Sequence, residues 1–591
     1  MDNLFTPQSL TIKQIFGNAD SFYKIPRYQR PYKWEDEQID KLWDDIYEAY
    51  QNGDKNYFLG SIIVANSNDK SSTYWDVVDG QQRLTTLIIL FRVVIVLFPH
   101  INEQVIDENP AAVDKGVLDN SIFYNQRNER IKLVTHPQHH SDFNDLIIKG
   151  DIQKWKRPYK YQIHSDESPK YKFINTATSF KEKLESISVE EVGKLINFLF
   201  NSVYIIRINC STREFAIRMF QVLNDRGLDL TSADLIKSFL MEKLESRHKN
   251  DPEILNQKED LFISDWQALE QIIKDLDVDI NEMLVIYEYH LLEQNPKKSL
   301  YDELEKQFRD KDPNDMINDF KKFTELYKNK IHNEVDNSIY GFWYLRWNIY
   351  WKSILLSALH GEYADYKKLK THLLRFYYLY WISGKTMSKI KQTSFNMIKW
   401  VKENRPISEI ITELSKKIDE DKIIKDVLEN INSSNVYDTP WIKPLLLMIE
   451  YNQTDSNLPF IPLNKDLHIE HILPHKYSEY PEWTDIVPKE TASTWINRPG
   501  NLTLLCGAKN IEASNNPFKD KIKVYQGKGL YDDKDTKITA FNITQKIVNA
   551  NNENTYNKQW NEKSIIDRWN WFCDETEKLI LINLNDIKIK S

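Results

Sequence analysis

The stretch VVDGQQRLTTL (residues 77–87) decides how the first part of the chain folds. Val77 and Val78 end an apolar, strand-like run, Asp79-Gly80 makes a turn, and two glutamines and an arginine then open a long apolar helix. A strand that delivers a glycine to a helix N-terminus is a ready anion site. The first backbone N–H groups have no intrahelical partner there, and the helix dipole adds partial positive charge. Gly80 permits a positive φ or close approach of a ligand. Gln81 and Gln82 can donate and accept, Arg83 can fork onto a phosphate, and Asp79 can hold a metal, orient a water or accept a ribose hydroxyl. Upstream, Arg27, Gln29 and Arg30 in IPRYQRPYKW (residues 25–34) offer a second set of donors. A tight turn with solvated polar residues would use the same letters, and local chemistry does not choose between the two.

Around this stretch, 591 residues exceed what one hydrophobic core fills, which predicts two or three domains. Only 15 glycines and 21 prolines favour a helix-rich architecture. A net charge of −9 argues against a protein that coats DNA wholesale, and leaves room for a local basic groove. Cys210, Cys506 and Cys573 lie far apart with no CxxC pair, which disfavours a zinc ribbon or a disulfide framework and fits a reducing cytoplasm. The start, MDNLFTPQSL, lacks the basic-then-apolar order of a signal peptide. The most apolar run, residues 87–98, contains Arg92 and falls well short of the roughly 20 residues that span a bilayer, so it reads as a buried helix and no membrane partner is expected.

The spacing predicts a short helix, a turn and a second helix across residues 11–50. Strands follow at 58–64 and 73–79 around a polar turn, then a helix over 81–98, a strand at 202–209 and a helix over 212–223. Another helix starts near Ser232, which reads as its N-cap with Asp234 in the first turn. Residues 100–190 carry no resolvable pattern. From about 245 to 440 the pattern is helical, and GFWYLRWNIYWKSILL (residues 341–356) reads as a buried helix or a base-stacking surface. The composition shifts near residue 440.

Within that last region stands HIEHILP (residues 468–474), in a chain with 13 histidines. Surface histidines on a strand would look alike, but NRPGNLTLLCGAKN (residues 497–510) follows. An acidic-His pair, a Gly-Asn hairpin and then a helix bearing Asn is the order of a ββα-metal nuclease site. In such chemistry a neutral His takes a proton from water that attacks phosphorus, and a hard divalent ion stabilises the developing charge. The HxEH spacing does not fit a zincin HExxH helix. Lys509, Lys519, Lys521, Lys523 and Lys528 follow, either placed to meet phosphates or forming an ordinary solvated helix face.

Four blocks in order, IPRYQRPYKW, FLGSIIV, VVDGQQRLTTL and FQVLNDRGLDLTSADLIK, resemble the N-terminal domain of the GmrSD-type, modification-dependent restriction endonucleases. HIEHILP…NRPGNLTLL…N…NNPF…K is similar to that family's C-terminal domain. The resemblance implies a helix-rich, multidomain α+β chain. It would comprise a ParB/sulfiredoxin-like nucleotide-binding domain over 1–245, a helical middle region over 246–440, and a ββα-metal (His-Me finger, HNH) nuclease domain over 441–591. It implies that Asp79, Gly80, Gln81, Gln82 and Arg83 bind a nucleoside triphosphate, GTP or ATP, with Arg27, Tyr28, Gln29 and Arg30 bordering the same pocket. Asn224, Arg226, Gly227, Asp234 and Lys237 form the last block.

By the same carry-over, His471 matches the general base, and Glu470 and Asn510 match the ligands of a divalent metal, Mg²⁺ or Mn²⁺. Asn501 matches the brace between hairpin and His loop, and His468 a metal or phosphate ligand or a structural residue. Glu470 stands where Asp is usual in HNH sites. The implied partner is double-stranded DNA, modified phage DNA in particular, and a homodimer is compatible with the pattern. The same architecture fits a phosphorothioate-sensing nicking effector, or an NTP-binding defence regulator without DNase activity.

Overall fold

A six-stranded mixed sheet organises the first part of the chain. The structure is a computed structural model describing residues 4–18, 21–66, 74–101, 113–124, 130–151, 168–224, 231–454, 458–527, 541–553 and 558–589. Numbered in chain order, the strands are β1 (Phe5–Thr11), β2 (Tyr23–Lys24), β3 (Tyr57–Asn66), β4 (Trp75–Asp79), β5 (Leu133–Val134) and β6 (Val203–Cys210). Their order across the sheet is β1-β6-β3-β4-β2-β5. β1 runs antiparallel to β6 and β3 antiparallel to β4, while β3 lies parallel to β6 and β2 parallel to both β4 and β5.

Helices α1 (Ile12–Gly17), α2 (Asp36–Gln51), α3 (Gln81–Leu97), α4 (Pro137–Phe143), α5 (Pro169–Glu185), α6 (Val189–Ser202), α7 (Arg213–Asn224) and α8 (Ser232–His248) belong to the same part of the chain. The apolar run that was too short for a bilayer forms most of α3, with Leu84, Leu87, Ile89, Phe91 and Val94 fully buried. A helix apolar around so much of its circumference can only be a core helix in water. Among the described residues no helix is long and apolar enough to cross a membrane. The N-cap of α8 is Thr231 rather than Ser232. Its hydroxyl accepts from Asp234 N–H while the Asp234 carboxylate accepts from Thr231 N–H, a reciprocal cap that a serine one position later cannot close.

The chain divides into two compact units, Met1–Asp260 and Leu261–Ser591. In the second, the aromatic stretch is split between helices Asn337–Trp343 and Asn348–His360, with Phe342, Tyr350 and Trp351 buried in the helical core. Towards its end, β7 (Leu467–His471) and β8 (Leu502–Cys506) pair antiparallel, with His471 opposite Leu502 and His468 opposite Leu505. The helices α9 (Gly507–Ala513), α10 (Phe518–Tyr525) and α11 (Glu562–Ile580) follow, and α9 packs against both strands. The long insertion between β7 and β8 folds as a 3₁₀ turn, Tyr477–Glu479, and two short helices, Pro481–Thr484 and Lys489–Trp495.

Candidate functional site

In the first unit, β4 hands the chain to α3 through Gly80, whose φ of 86° lies in the left-handed region. A Cβ at this position would stand 2.5 Å from the Ile62 Cγ2 methyl on β3, so both conformation and space require glycine. Gly80 brings no side chain to cap α3, and the residues of the helix's first turn line a cleft of about 290 Å³. Asp79, Gly80, Gln81, Gln82 and Arg83 all line it, together with Gln29, Arg30 and the aromatic Trp34 and Phe58.

A register shift in the β3–β6 pairing between Phe58 and Ser61 spans Gly60, whose φ is 108°. A Cβ there would stand 3.1 Å from the Arg83 guanidinium, which lies against this bulge and donates to Ser61 O at 2.9 Å.

The two glutamines divide their work. Gln82 donates to Pro31 O (3.1 Å) and accepts from Lys33 N–H (2.8 Å), and Gln29 donates to Val78 O (2.9 Å). These amides lace the residue 29–33 loop to β4 and α3. Gln81 is 6% exposed, and its Oε1 is buried without a partner. Gln81 also lines a second void of about 10 Å³, the room of one water, together with His136.

His136 Nε2 lies 3.0 Å from Arg27 O, and a carbonyl only accepts, so Nε2 carries the hydrogen and the partnerless, buried Nδ1 is an acceptor. Burial holds this imidazole neutral, its pKa pushed down to about 4. Two acceptors on one void suit a group that donates two hydrogens. Sequence reasoning missed His136. Its one available signal was density, with His136, His139 and His140 within five positions.

The structure does not bring Arg27 and Tyr28 to the cleft lining. Arg27 pairs with Glu259 and Asp260, each at 3.1 Å, on helix Pro252–Asp275. The Tyr28 ring is buried beneath Arg213. Asp234 serves the α8 cap and Lys237 is buried in α8. Arg226 and Gly227 lie outside the described residues, as do Lys528 and the side chain of Asn224.

In the second unit, His471 ends β7. Its Nε2 lies 3.0 Å from Asn497 Oδ1, and the Tyr437 ring packs on it at 4.2 Å between centroids. Burial pushes its pKa down to about 4, so the imidazole is neutral at pH 7. Asn501 is fully buried. Its Oδ1 accepts from Leu473 N–H (2.7 Å) and Trp560 Nε1 (3.0 Å), and its Nδ2 donates to Leu473 O (2.9 Å) and Ile496 O (3.0 Å). One side chain thus ties the segment after β7, the turn before β8 and the approach to α11. Gly500 permits that approach, since a Cβ there would stand 2.8 Å from Ile565 O. His468 packs against Gly507 at the start of α9. The two-residue period of a strand puts His468 and Glu470 on the face opposite His471.

Glu470 is 5% exposed, and its Oε1 accepts from Lys521 Nζ at 2.6 Å and from Tyr525 OH at 3.1 Å, both on α10. Lys521 also donates to His471 O at 2.7 Å. Glu470 was expected as a metal ligand, but this oxygen is already committed to an ammonium. Lys521 was expected either to meet phosphates or to lie on a solvated helix face, and is instead fully buried. Lys509 is buried beside Glu512 (3.6 Å) and Lys523 is paired with Asp520 (2.7 Å), whereas Lys519 is exposed. Asn510 on α9 differs: its Oδ1 is buried and partnerless. A bare amide oxygen fits a hard cation. Among the described residues no group of three or more His, Cys, Asp or Glu side chains is gathered to hold a metal.

Comparison with curated proteins returned no match. Two family models do match, in chain order: the GmrSD restriction endonuclease N-terminal domain over residues 12–241 and the GmrSD restriction endonucleases C-terminal domain over residues 418–575. The first match contains the Gly80 cleft and the second contains β7, β8 and α9. Carrying both domains in one polypeptide, the chain belongs to the GmrSD restriction endonuclease family.

Proposed function

We propose that this restriction endonuclease hydrolyses DNA phosphodiesters at a ββα-metal (HNH-like) site with His471 as general base, under the control of a nucleoside triphosphate held at the Gly80 cleft. The observation that carries the nuclease reading is His471 itself, a neutral imidazole with one nitrogen in a hydrogen bond, set on β7 against a helix that bears the bare oxygen of Asn510. His471 takes a proton from water, the water oxygen forms a bond to phosphorus, and the bond from phosphorus to the leaving sugar oxygen breaks. Of the two expected metal ligands, Asn510 offers a bare oxygen, whereas one oxygen of Glu470 already accepts from Lys521 and Tyr525. Asn510 would hold a divalent ion, which would supply charge stabilisation at the leaving oxygen.

In the first unit, the α3 N-terminus with its dipole, and Arg30 and Arg83 in the same lining, favour a polyphosphate. Trp34 and Phe58, the latter 55% exposed, offer faces for a base. Modified phage DNA is the proposed target. The test is cleavage of modified against unmodified phage DNA, with and without Mg²⁺ and with GTP or ATP. Cleavage that needs the metal and responds to nucleotide supports the reading. Equal, metal-independent action on every substrate argues against it.

A further inference from the structure

Asn497 is the residue closest in function to His471 that the sequence did not single out. It stands between helix Lys489–Trp495 and the turn Pro499–Asn501, and its backbone pairs with another segment: Asn435 and Asn497 form an isolated parallel bridge, and Tyr437 N–H donates to Asn497 O at 3.0 Å. Its side chain faces two ways. Nδ2 donates to Asn435 Oδ1 at 3.3 Å, which turns Oδ1 toward His471 Nε2 at 3.0 Å. An amide oxygen can only accept, so the imidazole hydrogen sits on Nε2 and the lone pair sits on Nδ1. The ring plane is held as well, by Tyr437 on one side and by the edge-on His475 ring at 5.4 Å.

We propose that Asn497, itself oriented by Asn435, is a positioning residue for DNA hydrolysis: it fixes the His471 tautomer so that Nδ1 is the nitrogen that takes the proton from water. This rests on reading His471 as the general base. When Nδ1 takes that proton, the ring carries hydrogens on both nitrogens, and the hydrogen on Nε2 stays in the bond to Asn497. Without Asn497 the neutral ring distributes between two tautomers and swings about χ2, and only one arrangement is productive.

The experiment compares Asn497→Leu, which keeps the shape and removes the acceptor, with Asn497→Asp, which keeps the acceptor. Asn435→Ala, at an exposed position, serves as a milder probe that leaves the fold intact. Each full-length variant is measured for kcat and KM on cleavable DNA and for melting temperature. The expected result is a kcat loss of about 10- to 100-fold for Asn497→Leu with KM little changed, substantial rescue in Asn497→Asp, and a smaller kcat loss for Asn435→Ala. Wild-type kcat in both Asn497→Leu and Asn435→Ala overturns the proposal. So does an equal loss in the Leu and Asp variants, because a purely structural role does not distinguish an acceptor from an isostere. His471→Ala runs alongside. If it cleaves normally, the general-base reading has failed; if it is inactive while Asn497→Leu is not, only the positioning role has failed.

Discussion

Lys521 Nζ lies 2.6 Å from Glu470 Oε1, with the lysine side chain fully buried and the glutamate nearly so. The pair fastens α10 to β7 one residue before His471, and the same ammonium holds the His471 carbonyl. Removing one member of a buried pair leaves the other charged and uncompensated, at a cost of about 3–5 kcal/mol. Lys521→Met is therefore expected to lower the melting temperature strongly, and adding Glu470→Gln to recover part of the loss. Thermal melting of the single and double variants checks this, and a single variant as stable as the parent contradicts it.

Gly80 makes a separate prediction. Alanine meets both the 86° φ and the Ile62 methyl at 2.5 Å. The left-handed backbone alone costs about 1–2 kcal/mol, and the contact requires β3 or α3 to move. Gly80→Ala should weaken nucleotide binding, read by isothermal titration, and Ile62→Ala should rescue only the steric part. Unaltered binding in Gly80→Ala would mean that the cleft tolerates a displaced α3.

Gln81 and Gln82 are adjacent and alike, yet their substitutions should differ. Gln82→Ala strips Lys33 N–H and Pro31 O of their partners and is expected to cost about 1–3 kcal/mol of stability. Gln81→Ala breaks no side-chain bond within the described residues and should leave the melting temperature near that of the parent while weakening ligand affinity. Equal melting losses for the two would show that the lacing by Gln82 is not specific.

Acid should destabilise the chain through its buried histidines. Burial depresses His136 and His471 to about 4 and His290 to about 3. Between pH 6.5 and those values the unfolded state binds protons that the folded state refuses. The stability these groups contribute is complete above pH 6.5 and falls as the pH drops toward 4. Melting temperature followed from pH 7.5 to 4.5 should decline, and His290→Leu should flatten the decline. An unchanged slope in that variant would contradict the assignment.

Much of the first unit is legible because its signals are local. The short valine-bearing run of β4, the glycine and the apolar run of α3 follow one another within residues 75–97. β1 is not legible. It is an edge strand, exposed along most of its length, carries Pro7, and is defined by pairing with β6 some 200 residues later. β2 and β5 are two residues each, too short for any period.

The same distinction holds at the sites. The DGQQR residues share one cleft because they are consecutive, and Arg27 and Tyr28, a few residues upstream of Arg30, turn elsewhere because Glu259 and Arg213 claim them. Glu470 reads as a ligand from its neighbour His471, whereas its chemistry is set by Lys521, 51 positions away. Asn497 draws its importance from Asn435, 62 positions upstream. No spacing rule reaches so far.

The most direct test of the account is cleavage of modified DNA by His471→Ala in the presence of Mg²⁺ and nucleotide, with nucleotide hydrolysis followed in the same samples. Loss of a general base is expected to reduce DNA cleavage by at least about 10²–10⁴-fold while nucleotide turnover, served by the Gly80 cleft, continues. Cleavage at the parental rate by His471→Ala would contradict the assignment of the hydrolytic site to β7.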